Sequence, residues 1–232
     1  GVLMDGDIVG LFIGAGGGLT PPTSDILKLG ERLRLFSFDA RPDEEGIRRV
    51  CFWSSRGARP FHVNNTPGSS GLLPANPEAL DWIMPNGRPW RDEVGLVDVI
   101  SMATDTLDGY CEAAGVWPHF LSMDIQGAEY EVLRGGPQAL KTLLAVITEV
   151  EFRPIYLGQK LFADIDALLR GAGFQFMVLF AGQRWLLHPA DTTPALVVAE
   201  ALYLRRPDGL DEASINKLAE IAWCFGFEGY TL

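Results

Sequence analysis

Leu11-Phe-Ile-Gly-Ala-Gly-Gly-Gly18 closes the first of several apolar, β-branched runs and opens a turn built almost wholly of glycine. Gly14, Gly16 and Gly18 let the chain turn tightly and let a flat ligand approach the backbone without Cβ collisions. A helix is expected next, with its free N–H groups facing that ligand. The second strand ends Leu35-Phe-Ser-Phe-Asp39, about 20 residues on, where an acid that hydrogen-bonds ribose hydroxyls is expected. A carboxylate at that point accepts two charge-assisted hydrogen bonds.

The spacing of the turn bears on the ligand. A dinucleotide fingerprint needs a glycine three positions after its second glycine. Counted from Gly14 and Gly16 that position is Leu19, and counted from Gly16 and Gly18 it is Pro21. The G-x-G-x-G spacing suits a ligand with no pyrophosphate to cradle, such as S-adenosylmethionine. The plain alternative is a structural glycine turn followed by a surface Asp.

Outward from this stretch, apolar runs alternate with segments of helical period, the signature of βαβ units and a largely parallel sheet. Strands are predicted over 8–13, 34–38, 50–53, 96–101, 120–124, 144–152, 174–180 and 195–204. Helices are predicted over 23–32, 43–49, 106–114, 128–134, 161–171 and 211–225. The last carries Leu218, Ile221, Ala222 and Phe225 at helical spacing, a stripe expected to pack on the sheet. Residues 64–92 break the alternation with five prolines, three glycines and two tryptophans. A loop this long is usually functional or disordered, and the apolar Trp82, Ile83 and Met84 argue against disorder. Without repeats, linkers or a second composition regime, residues 1–232 read as one domain with a Pro-rich insertion at about 64–92.

Composition excludes several classes. Acidic residues outnumber basic ones 30 to 19, a formal net charge of −11, so no basic face is available for nucleic acid. No apolar run approaches the ~18 residues of a membrane span. Cys51, Cys111 and Cys224 are too few and too scattered for a disulfide framework or a CxxC knuckle, and buried thiols in a reducing cytoplasm are expected. The opening Gly1-Val-Leu-Met-Asp-Gly-Asp7 lacks a basic segment before an apolar stretch, so no signal peptide is expected and the location is read as cytoplasmic.

Phe120-Leu-Ser-Met-Asp-Ile-Gln-Gly-Ala-Glu-Tyr-Glu-Val-Leu-Arg-Gly-Gly136 is the second informative stretch. Asp124 ends a strand, Gly127 permits a tight turn, and Glu129 sits in the first helical turn, where the dipole favours its charge. Strand C-termini face the ligand crevice of a doubly wound sheet, so Asp39 and Asp124 are expected to converge beside Gly14–Gly18.

Ser122-Met-Asp-Ile-Gln-Gly-Ala-Glu129 through Gly135 resembles the signature of the FkbM-type family of S-adenosylmethionine-dependent methyltransferases, in a subgroup with D-x-Q-G-A-E. Ser69-Ser70 with Pro74 and Asn76, Thr106-Leu-Asp108 and Glu149-Val-Glu-Phe-Arg-Pro-Ile-Tyr-Leu-Gly-Gln159 extend the resemblance over nearly the whole chain. It implies an α/β fold with the Rossmann-like, doubly wound, seven-stranded sheet of class I methyltransferases. It implies S-adenosylmethionine as cofactor, with Gly14, Ala15, Gly16, Gly18, Asp39, Ala40, Ser70 and Asp124 in its binding site. It also implies a hydroxyl acceptor, on a sugar or glycan or on a secondary metabolite. One departure stands out: the family's loop usually begins with an acid two residues before the first glycine, and Phe12 occupies that place.

Methyl transfer to oxygen needs the nucleophile held in line about 3 Å from the methyl, and a base for the hydroxyl proton. Asp124 is the first choice for contact with the reaction centre. Glu149 and Glu151 fall two apart on one strand, so they share a face, and like charges that close raise one pKa and make a better base. Gln126 is able to orient an acceptor but not to act as a base. His62, His119 and His188 show no paired spacing and read as structural. Asp124 with Glu149 or Glu151 has the oxygen ligands for Mg²⁺, although no metal set is recognisable. The region from Trp82 to Trp90 reads either as a cap over the pocket or as a satellite apolar cluster. The competing functions are a nicotinamide-dependent oxidoreductase, which Leu19 and Pro21 disfavour, and a catalytically inactive binding domain, which Phe12 motivates.

Overall fold

A computed structural model describes residues 6–41, 45–81 and 83–231. Seven strands form the main sheet. They are β1 (Ile8–Ile13), β2 (Leu33–Asp39), β3 (Ile47–Arg49), β7 (Phe120–Met123), β8 (Ala145–Glu151), β9 (Phe174–Trp185) and β10 (Ala195–Arg205). Their order is β3-β2-β1-β7-β8-β10-β9. All neighbours from β3 to β8 are parallel, and β10 runs antiparallel to both β8 and β9. This is the mixed α/β, Rossmann-like architecture expected from the sequence.

The central strands owe their place to being apolar on both faces. Every residue of β1 and β7 is buried, which a strand covered by helices on both sides requires. One face packs Leu11, Leu121, Val146 and Ala201 against residues of α1 (Leu107–Ala114), α2 (Glu129–Arg134) and α4 (Phe162–Gly171). The other packs Ile8, Phe120, Ile147 and Leu202 against Leu218, Ile221 and Ala222 of α5 (Glu212–Cys224). Thr106 caps α1 by accepting the Gly109 N–H at 2.9 Å, and Asp211 caps α5 through Ser214 N–H at 2.7 Å. A four-residue helix, α3 (Ala139–Thr142), had no sequence expectation.

Several expectations change. Residues 23–32 form a 3₁₀ helix, Thr23–Arg32, kinked at Gly30 with φ 56°, and the glycine turn reaches it through a short 3₁₀ turn, Ala15–Gly17, and an extended step. Ser24 and Asp25 N–H are satisfied by Thr20 and Pro22 carbonyls, so these first donors do not face a ligand. Of the helix predicted over 43–49, Ile47–Arg49 is instead strand β3, pairing with the exposed flank of β2, and Arg48 lies over the Phe36 ring at 4.6 Å. Asp43 and Glu44 lie outside the described residues.

The strands predicted at 50–53 and 96–101 form, but in a second sheet: β4 (Cys51–Phe52), β6 (Leu96–Asp105) and β5 (Gly57–Asn64), in the order β4-β6-β5. The described residues of the insertion that follows are tied to the rest of the fold. Its backbone bonds His62 to Gly71, Asn76 to Ile155 and Met84 to Leu186. Trp90 packs with Tyr156 and Trp185 in a separate apolar cluster. Trp90 is therefore a satellite-core residue and does not line the main cavity; Trp82 lies outside the described residues. Among the described residues no helix is long and apolar enough to cross a membrane.

Candidate active site

The strand register draws the site together. Ile13 pairs with Phe38 and with Met123, and Met123 pairs with Thr148. One residue further along the parallel strands, Asp39, Gly14, Asp124 and Glu149 occupy a single row, and Glu200 of β10 pairs directly with Glu149. Side chains alternate between faces, so this row presents its carboxylates on one side of the sheet's C-terminal edge. Gly14 sits between two of the acids. It has φ 90°, and a Cβ there would overlap the Asp124 carbonyl oxygen. Only glycine fits.

A cavity of about 490 Å³ opens along this row, within the roughly 300–1,000 Å³ of small-molecule sites. Gly14, Gly16, Gly18, Asp39, Ala40, Ser70, Asp124 and Gln126 line it. Ala15 does not; it is buried, and its carbonyl accepts Gly18 N–H at 2.9 Å. Glu149 and Glu151 stand behind the wall rather than in it, and Glu151 is fully buried. The insertion contributes Pro67, Gly68, Gly71 and Leu72 as well as Ser70.

At one end Asp39 closes the glycine turn. Its Oδ2 accepts Gly16 N–H at 2.9 Å and its Oδ1 accepts Arg41 N–H at 2.8 Å. A Cβ at position 16 would come within 2.9 Å of that carboxylate. Each oxygen keeps a lone pair for a further donor. The Phe12 ring lines the same cavity as this bare turn and its half-buried carboxylate.

At the other end lies a network. Tyr156 Oη donates to Gln126 Oε1 at 2.6 Å, and Gln126 Nε2 donates to Asp124 Oδ1 at 2.8 Å and to Glu149 Oε2 at 3.3 Å. Gln126 adopts φ 60°, unusual for a residue with a side chain, and these bonds hold it there. The carboxyl groups of Asp124 and Glu149 are neighbours, both bonded by the one Gln126 amide. Asp124 reaches water through the cavity yet is sunk deeply among protein atoms, and that desolvation outweighs its hydrogen bonds to keep its pKa above the ordinary carboxylate range.

Burial, then neighbouring carboxylates, push Glu149 and Glu151 well above the usual range. Burial raises Glu129 to about 8 even though its Oε1 accepts Ile125 N–H at 2.8 Å. Both Glu151 carboxyl oxygens and Gln159 Nε2 are buried without a hydrogen-bond partner, a setting that disfavours the charged form of Glu151.

The three histidines stand apart from the cavity. His119 accepts Val9 N–H through Nδ1 at 3.0 Å, and burial lowers its pKa to about 4. His188 Nδ1 accepts Ala190 N–H at 3.1 Å, and His62 pairs through its backbone with Gly71. None lines the cavity. All three cysteines are free and buried. Among the described residues no group of three or more His, Cys, Asp or Glu is arranged to hold a metal ion.

Among the lining residues that escape the sequence patterns are Thr23 and Glu200, joined by a hydrogen bond from Thr23 Oγ1 to Glu200 Oε2 of 3.0 Å. A lone carboxylate in the apolar run Ala195–Arg205 was the signal available for Glu200.

The methyltransferase FkbM domain model matches residues 38–176, which is 139 of the 232 residues. The chain belongs to the methyltransferase FkbM domain family. The match begins at the end of β2 and takes in Asp39, the insertion, Asp124 to Glu129 and the strand of Glu149; the glycine turn, Thr23 and Glu200 lie outside it. No curated protein and no solved structure matches the chain.

Proposed function

We propose that this methyltransferase uses S-adenosylmethionine and methylates a hydroxyl, on a sugar or glycan or on a secondary metabolite. The observation that carries the reading is the meeting of a side-chain-free turn, Gly14–Gly18, with Asp39 in one cavity whose opposite end holds Asp124. When bound, the cofactor supplies a methyl on a sulfonium, already activated for in-line displacement. Asp39 accepts the ribose hydroxyls, Gly14, Gly16 and Gly18 admit the nucleoside, and Ala40 and Ser70 border it.

Asp124 is the base. Glu149, its pKa raised by burial, keeps its own proton, Gln126 holds Asp124 by Oδ1, and Asp124 lines the cavity. An acceptor hydroxyl gives its proton to Asp124 at the oxygen facing the cavity. Protonation there discharges a carboxylate that burial already disfavours, which matches the raised pKa to the task. Glu151 and Glu129 stay neutral behind the pair and deny Glu149 a charge. We further read residues 1–232 as one domain, with the insertion at about 64–92 forming the acceptor side of the cavity.

Calorimetry with S-adenosylmethionine and S-adenosylhomocysteine, followed by transfer assays with methyl-labelled cofactor and polyhydroxylated acceptors, tests this. Saturable binding and label on oxygen support it. No heat and no thermal shift at millimolar ligand contradict the cofactor, and label on nitrogen or carbon contradicts the acceptor.

A further inference from the structure

Glu200 is a charged cavity residue that neither the family match nor the glycine turn accounts for. It lies on β10, and its carboxylate accepts the Thr23 hydroxyl at 3.0 Å, a bond that ties the last strand of the fold to the helix after the glycine turn. Thr23, Glu200 and Asp124 line one end of the cavity, and Asp39 and Arg41 line the other. Between them the turn carries no charge: Phe12 stands where β1 runs into it, and Gly14 to Gly18 have no ionisable side chain.

A ligand seated with its ribose on Asp39 extends past the turn toward Thr23, Asp124 and Glu200. That end is anionic and offers no cation of its own among the lining residues. We propose that Glu200, held in place by Thr23, receives the ammonium group of the amino-acid part of S-adenosylmethionine, a deepening that rests on the cofactor reading above. Position 12 carries no acid, and β10 supplies one on the same face of the sheet. Burial and the charge of Asp124 both resist ionisation of Glu200, and a bound ammonium relieves both.

The test compares two ligands on the full chain. S-adenosylhomocysteine carries the amino-acid part; 5′-methylthioadenosine has the same nucleoside and sulfur without it. Glu200→Gln keeps the size of the side chain and removes its charge. It is expected to weaken S-adenosylhomocysteine about tenfold or more in calorimetry, and 5′-methylthioadenosine less than about twofold. Thr23→Val, which only frees the carboxylate to swing, gives the same split in smaller measure.

Equal weakening of both ligands, or of neither, overturns the role of Glu200 and leaves the cofactor reading standing. Failure of the wild-type protein to bind either ligand overturns both. Asp39→Ala, which removes the ribose contact, weakens both ligands alike and separates the two ends of the site.

Discussion

Asp39 and Asp124 are the same residue type in the same pleat row, one on each side of Gly14, and their surroundings make them different groups. Asp39 accepts two backbone N–H groups and faces a turn without side chains. Asp124 is ringed by Glu149, Gln126 and, further off, Glu129, Glu151 and Glu200, with strong desolvation. Backbone donors hold a carboxylate in one position, which suits binding. Neighbouring carboxyls and a low dielectric make a carboxylate willing to take a proton, which suits catalysis. Position in the fold brings both to the site; the second layer of residues assigns the role.

The largest effect expected from this contrast is on stability against pH. A carboxyl whose folded pKa is raised binds more protons folded than unfolded, so its contribution is fully present below the unfolded value and is lost as pH rises through the folded one. For Glu129 that window runs from about 4.5 to about 8, and Asp124, Glu149, Glu151 and Glu200 shift in the same direction. His119 opposes them, because its lowered pKa removes stability as pH falls from 6.5 to about 4. Melting temperature is therefore expected to fall between pH 5 and pH 8.5, and Glu129→Gln, which imitates the neutral acid, is expected to flatten that slope. A wild-type melting temperature that rises across this range contradicts the neutral network.

Next in size is the chemistry. Asp124→Asn is expected to cut turnover by about 10²–10⁴-fold, and to do so far more than it weakens the cofactor. Glu149→Gln, which keeps a neutral donor beside Asp124, is expected to retain much more activity than Glu149→Ala. Equal losses in the two Glu149 variants would mean that Glu149 itself takes the proton. Gly14→Ala sharpens the comparison from the middle of the row: the added methyl meets the Asp124 carbonyl and the backbone is left-handed, so a loss of about 3 kcal/mol is expected in denaturant unfolding. The smallest effect belongs to the binding end. Asp39→Ala is expected to weaken cofactor binding by about 1–3 kcal/mol, with turnover at saturation nearly kept.

Much of this was legible in the residues, for a definite reason. β1 and β7 are buried on both faces and β8 opens with the apolar Ala145-Val-Ile147, and a near-continuous apolar run identifies a central parallel strand without knowledge of its neighbours. β3 and β5 were not visible, since Ile47-Arg-Arg49 and Gly57-Ala-Arg-Pro-Phe-His-Val-Asn64 carry charge, proline and glycine and become strands only through their partners. In the same way Asp39 and Asp124 announce themselves as acids at strand ends, beside glycines. Glu200 does not, because its place in the row depends on an antiparallel pairing with Glu149 that no local pattern encodes. The left-handed Gln126 and its hold by Tyr156 are likewise products of tertiary contact.

The most direct test is the structure of the complex with S-adenosylhomocysteine. The adenosine is expected along Gly14–Gly18 with both ribose hydroxyls donating to Asp39, and the sulfur is expected to face open space bordered by Asp124. A ligand bound elsewhere, or a ribose turned away from Asp39, would contradict the account.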